Sequence, residues 1–250
     1  IFAVVIAAHF GQIVFSPTAL FIAIIGIANA WASYAQWKAH EVSLSRTSFF
    51  MFGNGALAMF LSAVFLDEYQ VLSGRLAAGI VLCFGAAFLL AYADFRKHDE
   101  RRSLAPVETR RFYFAVLTYT VIWGVANFCV KYWSLEVVPM GTFLSSWYVG
   151  SLVGALGVVR FLGRKEGHPT FGTKQITLRD AGKIALLSGA IFVSLGSLYW
   201  AHFYAPQMVI FPLFLVADLI APVAVGFLFF KEHRSFSSFQ LFCFGLAVVG

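Results

Sequence analysis

The stretch Phe211-Pro-Leu-Phe-Leu-Val-Ala-Asp-Leu-Ile-Ala-Pro-Val-Ala-Val-Gly-Phe-Leu-Phe-Phe-Lys-Glu-His233 holds one carboxylate, Asp218, midway along an otherwise apolar run that ends in Lys231 and Glu232. About 20 apolar residues match the hydrocarbon thickness of a bilayer when helical, and an ionisable group near the middle of such a run is costly enough to read as functional. The design occurs twice. Aligning Glu232 with Glu68, an offset of 232 − 68 = 164, puts Asp218 over position 218 − 164 = 54, which is Asn54. Pro212 and Pro222 flank Asp218 and each lacks a backbone donor, so this helix is expected to kink and to leave carbonyls free near its centre.

The rest of the chain has the same character. With 60% hydrophobic and 12% charged residues it is far more apolar than a globular domain, which carries about 25% charged residues, so it reads as a polytopic membrane protein. The net charge of +6 lies in short connections between apolar runs, with no basic, aromatic-interleaved domain, which argues against a nucleic-acid partner. Cys83, Cys129 and Cys243 are odd in number and lie inside apolar runs, where they read as packing residues. Ile1 and Gly250 each fall inside an apolar run, so the sequence is expected to be cut at both ends; a basic leader with a cleavage site is not indicated.

Nine apolar runs are bounded by charge or by Pro and Gly: 1–16, 18–37, 48–66, 71–93, 112–134, 138–162, 182–204, 208–230 and 236–250. They are continuous rather than alternating and contain Gly and Ala, which predicts helices and not a barrel. Of the 18 basic residues, all but Arg75 and Lys131 fall on one side of the resulting path, and the positive-inside rule makes that side cytoplasmic. The offset also matches 18–37 to 182–204, 48–66 to 208–230 and 71–93 to 236–250. Equivalent runs are five spans apart, so each enters from the opposite side, as in an inverted repeat built for alternating access about a midplane site.

Asp218 is open to three readings: a proton or cation relay, a counter-charge for a cationic substrate, or a carboxylate bonded to a neighbouring helix. Glu68 and Glu232 stand at span ends, where a carboxylate can reach water or stabilise the N-terminus of the following helix, and they read as structural. Lys131 lies near the outer end of its run and can snorkel to the interface, while Asn127, one turn earlier, is deeper and suited to a partner helix or a substrate. The histidines, among them His9, His40, His202 and His233, show no metal-ligand spacing, and no nucleophile elbow, phosphate loop or His-Glu-x-x-His motif is present. No cofactor is expected, and an enzyme is not.

The run Trp123-Gly-Val-Ala-Asn-Phe-Cys-Val-Lys131, together with the segments leading to Glu68 and Glu232 and the Gly-bearing runs after them, resembles the EamA-type members of the drug/metabolite transporter superfamily. The likeness implies two inverted five-helix repeats. It divides the chain into 1–93 (a first repeat lacking its first helix), a basic cytoplasmic linker at 94–111, and a second repeat at 112–250. Ten helices are then expected in the full protein. It also implies transport of a small organic metabolite, typically export, in a bacterial inner membrane, with Asp218, Asn54, Asn127, Trp123 and Lys131 contributing to substrate binding or to coupling with a proton. Where the family's second helix often carries an Arg, run 138–162 offers Ser145, Ser146 and Trp147, so an anion contact there is not carried over. The rival class is a non-transporting membrane protein, an embedded enzyme or an assembly subunit.

The charge pattern makes a direct prediction. In a background lacking Cys83, Cys129 and Cys243, a membrane-impermeant thiol reagent applied to intact cells should label Arg75→Cys and spare Arg101→Cys. The reverse pattern means the opposite orientation.

Overall fold

A computed structural model describes residues 13–42, 47, 50, 52–99, 106–162, 177–217, 239, 242, 245 and 246. All of its regular elements are helical: α1 (Pro17–Val42), α2 (Phe52–Phe65), a 3-10 turn (Glu68–Val71), α3 (Gly74–Asp99), α4 (Pro106–Leu135), α5 (Met140–Leu162), α6 (Leu178–Tyr204) and the short α7 (Gln207–Ala217). Four of them, α1, α4, α5 and α6, are long and apolar enough to cross a membrane; the apolar parts of α2, α3 and α7 are shorter. This is fewer than the nine runs read from sequence, and Asp218, Pro222 and Glu232 lie outside the described residues. Large apolar side chains face outward on the helices, Phe21 and Ile24 on α1, Phe114 and Leu117 on α4, Leu186 and Val193 on α6. A water-soluble monomer rarely shows contiguous apolar surface on this scale, and the arrangement fits an integral membrane protein.

The helices start where the local chemistry directs. Ser16 caps α1 through its hydroxyl on the Ala19 amide (3.2 Å), with Pro17 in the first helical position, where its missing donor costs nothing. Ser73 does the same for α3 on Leu76 (3.2 Å). Thr177 caps α6 on Asp180 (3.2 Å) and donates its hydroxyl to the Asp180 carboxylate (2.7 Å), a variant of the capping box.

The chain divides into two compact units, and the division falls inside α1, after Tyr34, and inside α4, after Phe128. The first unit combines residues up to Tyr34 with Cys129–Tyr204. Here α1 and α5 run parallel and very close. A Cβ on Gly150 would strike the Ala23 carbonyl, and one on Gly154 would stand 2.6 Å from the Ile27 oxygen, so only glycine lets the two backbones touch. Ser151 adds a bond from its hydroxyl to the Gly26 carbonyl (3.2 Å). The end of α4 is closed by a Schellman motif: Val138 N–H reaches the Trp133 carbonyl (3.2 Å), Val137 N–H reaches Ser134 (3.2 Å), and Pro139 follows. Val137 takes the left-handed position usually given to glycine (φ 53°), a strained choice for a β-branched residue. Phe143 of α5 stacks on Tyr199 of α6, with ring centroids 4.0 Å apart.

The second unit combines Ala35–Phe128 with the segment from Ala205. A Cβ on Gly53 would meet Thr120 at 3.1 Å, and one on Gly124 would meet Leu57 at 2.6 Å, so α2 and the first part of α4 run parallel. Gly55 faces Phe211 of α7, and Ser62 bonds Gln207 (3.1 Å), so α2 and α7 run antiparallel. After α2 the chain turns through Asp67 (φ 54°), a residue type that tolerates the left-handed region, into the 3-10 turn that carries Glu68.

The glycine seam gives a paired test. Gly150→Val should push α1 off α5 and lower stability by about 3 kcal/mol or more, the cost of an overpacked helix contact. At Gly157 nothing lies within 4 Å, and Gly157→Ala should leave the melting temperature unchanged or slightly raised in a detergent thermal-denaturation assay.

Candidate functional site

Thr120, Trp123, Asn127 and Lys131 follow one another at helical spacing on one face of α4. Gly124 on the same face lets α2 approach, which sets Thr120 against Gly53 of the adjoining helix. Trp123 and Asn127 are half-buried; the Trp123 indole N–H is fully enclosed with no hydrogen-bond partner among the described residues, and the enclosed Thr120 hydroxyl lies beside the Tyr119 phenol. Asn54 is half-buried on α2, between Gly53, which faces Thr120, and Gly55, which faces Phe211. Of the residues singled out from sequence, the structure thus places Asn54, Trp123 and Asn127 in the second unit and Lys131 in the first. Asp218 and Glu232 fall outside the described residues.

Lys131 does not snorkel. It is 5% exposed, and its ammonium donates to the main-chain oxygen of His202 at 2.7 Å. Ser134 shares that oxygen (3.2 Å) and donates at 2.6 Å to the carbonyl of Lys131. His202 lies in the last turn of α6, so its carbonyl is one of the four that the helix cannot satisfy. A cation is favoured at such a negative helix end. Tyr199 performs the reciprocal task for α4, donating to the carbonyls of Val138 (2.6 Å) and Trp133 (3.2 Å). The His202 ring is fully buried with both nitrogens lacking partners among the described residues.

Glu68, 7% exposed, is the mirror case. Its two oxygens accept the amides of Gln207 (3.1 Å) and Met208 (3.4 Å), the first two of α7, while the Pro206 carbonyl takes Val209 (3.0 Å) and Ile210 (3.1 Å). Every amide of the first turn of α7 is therefore satisfied, and a carboxylate sits at its positive end. The helix served is not the next one in sequence, as the position of Glu68 predicts, but one 139 residues away. Gln207 is fully enclosed and holds Ser62 through its side-chain oxygen.

Gln207, His202, Ser134 and Tyr199 were not legible as a set from sequence. The signal that could have found them is the break Tyr204-Ala-Pro206, which ends one helix and starts another inside apolar sequence and so creates eight backbone groups in need of partners. Among the described residues no group of three or more His, Cys, Asp and Glu side chains is placed to hold a metal ion.

Both caps are testable by stability. Lys131→Met, which keeps the stem and removes the charge-assisted bond, should cost about 2 kcal/mol, and Glu68→Ala about as much; Glu68→Gln should fall between wild type and Glu68→Ala, since one of its two acceptors is kept. Detergent thermal shift of the three variants measures the order. No protein-family model, curated protein or solved structure matches this chain, and its function is read from these residues alone.

Proposed function

We propose that the protein is a secondary transporter that moves a small organic metabolite across a membrane by alternating access between inverted halves. The observation that carries this reading is the antiparallel pairing of α2 with α7 through Gly55–Phe211 and Ser62–Gln207. These are the two segments matched by the offset of 164, and inverted counterparts related by an in-plane twofold must meet in this sense. The other matched pair, α1 and α6, also shares a unit, and the two boundaries at Tyr34 and Tyr204 are 204 − 34 = 170 residues apart, close to the repeat offset.

Helix directions support the same path. Parallel α1 and α5 have three helices between them, parallel α2 and α4 have one, and antiparallel α2 and α7 have four. Strict alternation of crossings satisfies all three relations, with α2, α3 and α7 crossing like the longer helices. On this reading the nine apolar runs are spans of an EamA-like transporter of ten helices, in a bacterial inner membrane, exporting its substrate. Asn54, Asn127, Trp123 and Asp218 serve substrate or proton, Lys131 takes part in coupling through α6, and Glu68 and Glu232 are structural.

A thermal-shift screen of the protein against metabolite classes identifies a ligand by mass action, and counterflow of that labelled ligand in proteoliposomes then tests transport. Counterflow is expected to be abolished by loss of the protein and retained in Asp218→Asn, while pH-driven accumulation is lost in that variant if Asp218 carries the proton. A ligand that binds but shows no counterflow speaks for the non-transporting class.

A further inference from the structure

We infer that the end of the first unit where α4 turns into α5 is seated in the lipid of the membrane interface and not in water, so that the α4–α5 turn is a lipid contact and not an aqueous loop. The inference rests on the membrane reading alone and is independent of transport.

Four helix ends meet there. The Val14 amide donates to the Thr142 hydroxyl (3.0 Å), which sets the start of α1 beside the start of α5, and Tyr199 and Lys131 tie the end of α6 to the end of α4. A helix end that faces water can leave its spare amides and carbonyls to solvent. Here they are met from within: Ser16 serves the Ala19 amide, Tyr199 the carbonyls of Trp133 and Val138, Lys131 and Ser134 the His202 carbonyl, and Ser134 also the Lys131 carbonyl. Side chains do at this end what water does at an ordinary loop, and lipid requires that substitution.

The surface carries the corresponding chemistry. Phe15 is 96% exposed, and Leu135, Val137 and Met140 around the turn and Trp200 and Tyr204 on α6 are exposed with it. Trp and Tyr are enriched where a bilayer meets water. Among the described residues of this unit, the exposed charges of Arg160, Arg179, Asp180 and Lys183 lie at the opposite helix ends, and Glu136 is the one exposed charge at the turn. The apolar sides of α5 and α6, with Leu152, Ile191 and Val193 exposed, continue to the turn without a charged break. Val137 holds the left-handed position (φ 53°) that glycine or asparagine usually fills. Valine is strained there, but it adds no polar group for lipid to leave unbonded.

Nitroxide labels in proteoliposomes of the full-length protein test the placement, on single cysteines in a background lacking Cys83, Cys129 and Cys243. Phe15→Cys, Val137→Cys and Tyr204→Cys probe the turn end, and Arg110→Cys and Arg179→Cys mark the far ends of α4 and α6. Collision with apolar oxygen should exceed collision with a water-soluble nickel chelate at the first three positions, and the order should reverse at the two arginine positions. Preference for the nickel chelate at 15 and 137 overturns the inference, because it places the turn in water. Exclusion of both reagents from all three overturns it as well, because it shows that protein covers this end. A second variant reads the same question through stability. Val137→Asn relieves the left-handed strain, and in water it should raise the melting temperature; in lipid the added amide offsets the relief, so no rise is expected in proteoliposomes. A rise overturns the inference.

Discussion

A helix end buried among other side chains leaves amides or carbonyls without water to bond, and in this chain two such ends meet between His202 and Met208, where α6 stops and α7 begins. The two ends are met in opposite ways. The carbonyl end takes the ammonium of Lys131 with the hydroxyl of Ser134, and the amide end takes the carboxylate of Glu68. Each ionisable side chain is set against the helix terminus of opposite partial charge, so burial that would be costly for a lone charge becomes compatible with a stable fold. A residue conspicuous in sequence as an intramembrane ion can thus be an architectural one, and the two are separated only by where its donors or acceptors go.

Small residues supply the other half of the architecture. Between helices bathed in lipid there is no water to expel, so closeness must come from van der Waals contact and hydrogen bonds. Gly26, Gly150 and Gly154 bring α1 and α5 together until backbone touches backbone, and Gly53, Gly55 and Gly124 do so around α2 with larger partners, Thr120, Phe211 and Leu57. The α1–α5 seam is also closed by the Ser151 hydroxyl on the Gly26 carbonyl.

Much of this was legible from residue types and spacing. Long apolar runs and the polar positions from Trp123 to Lys131 translate into helices and a face, because each depends on neighbours within a few residues. Lys131 shows where that stops. Its place near a run end predicts a side chain reaching for the interface, yet the partner that turns it inward, the His202 carbonyl, is 71 residues away and carries no sequence signature of its own. Glu68 is similar: its position at a span end announces a cap, but nothing local says which helix receives it. The length of α2, 14 residues in the described part, is likewise set by a left-handed turn at Asp67 that hydropathy does not register.

The separation between Glu68 and its partners has a consequence for biosynthesis. The α4–α5 hairpin closes with bonds among Trp133, Ser134, Val137 and Val138, all available as soon as those residues emerge. The Glu68 cap cannot form until Gln207 and Met208 have been made, 139 residues after it, which at ribosomal speed is a delay of about 7–28 s. During that interval the first unit's hairpin can set while the second unit waits with an uncapped carboxylate and an unfilled flank at Gly55. Insertion therefore proceeds with the α4–α5 turn able to close early and the Glu68 cap held open until α7 arrives, an order of assembly written into the distance between two residues.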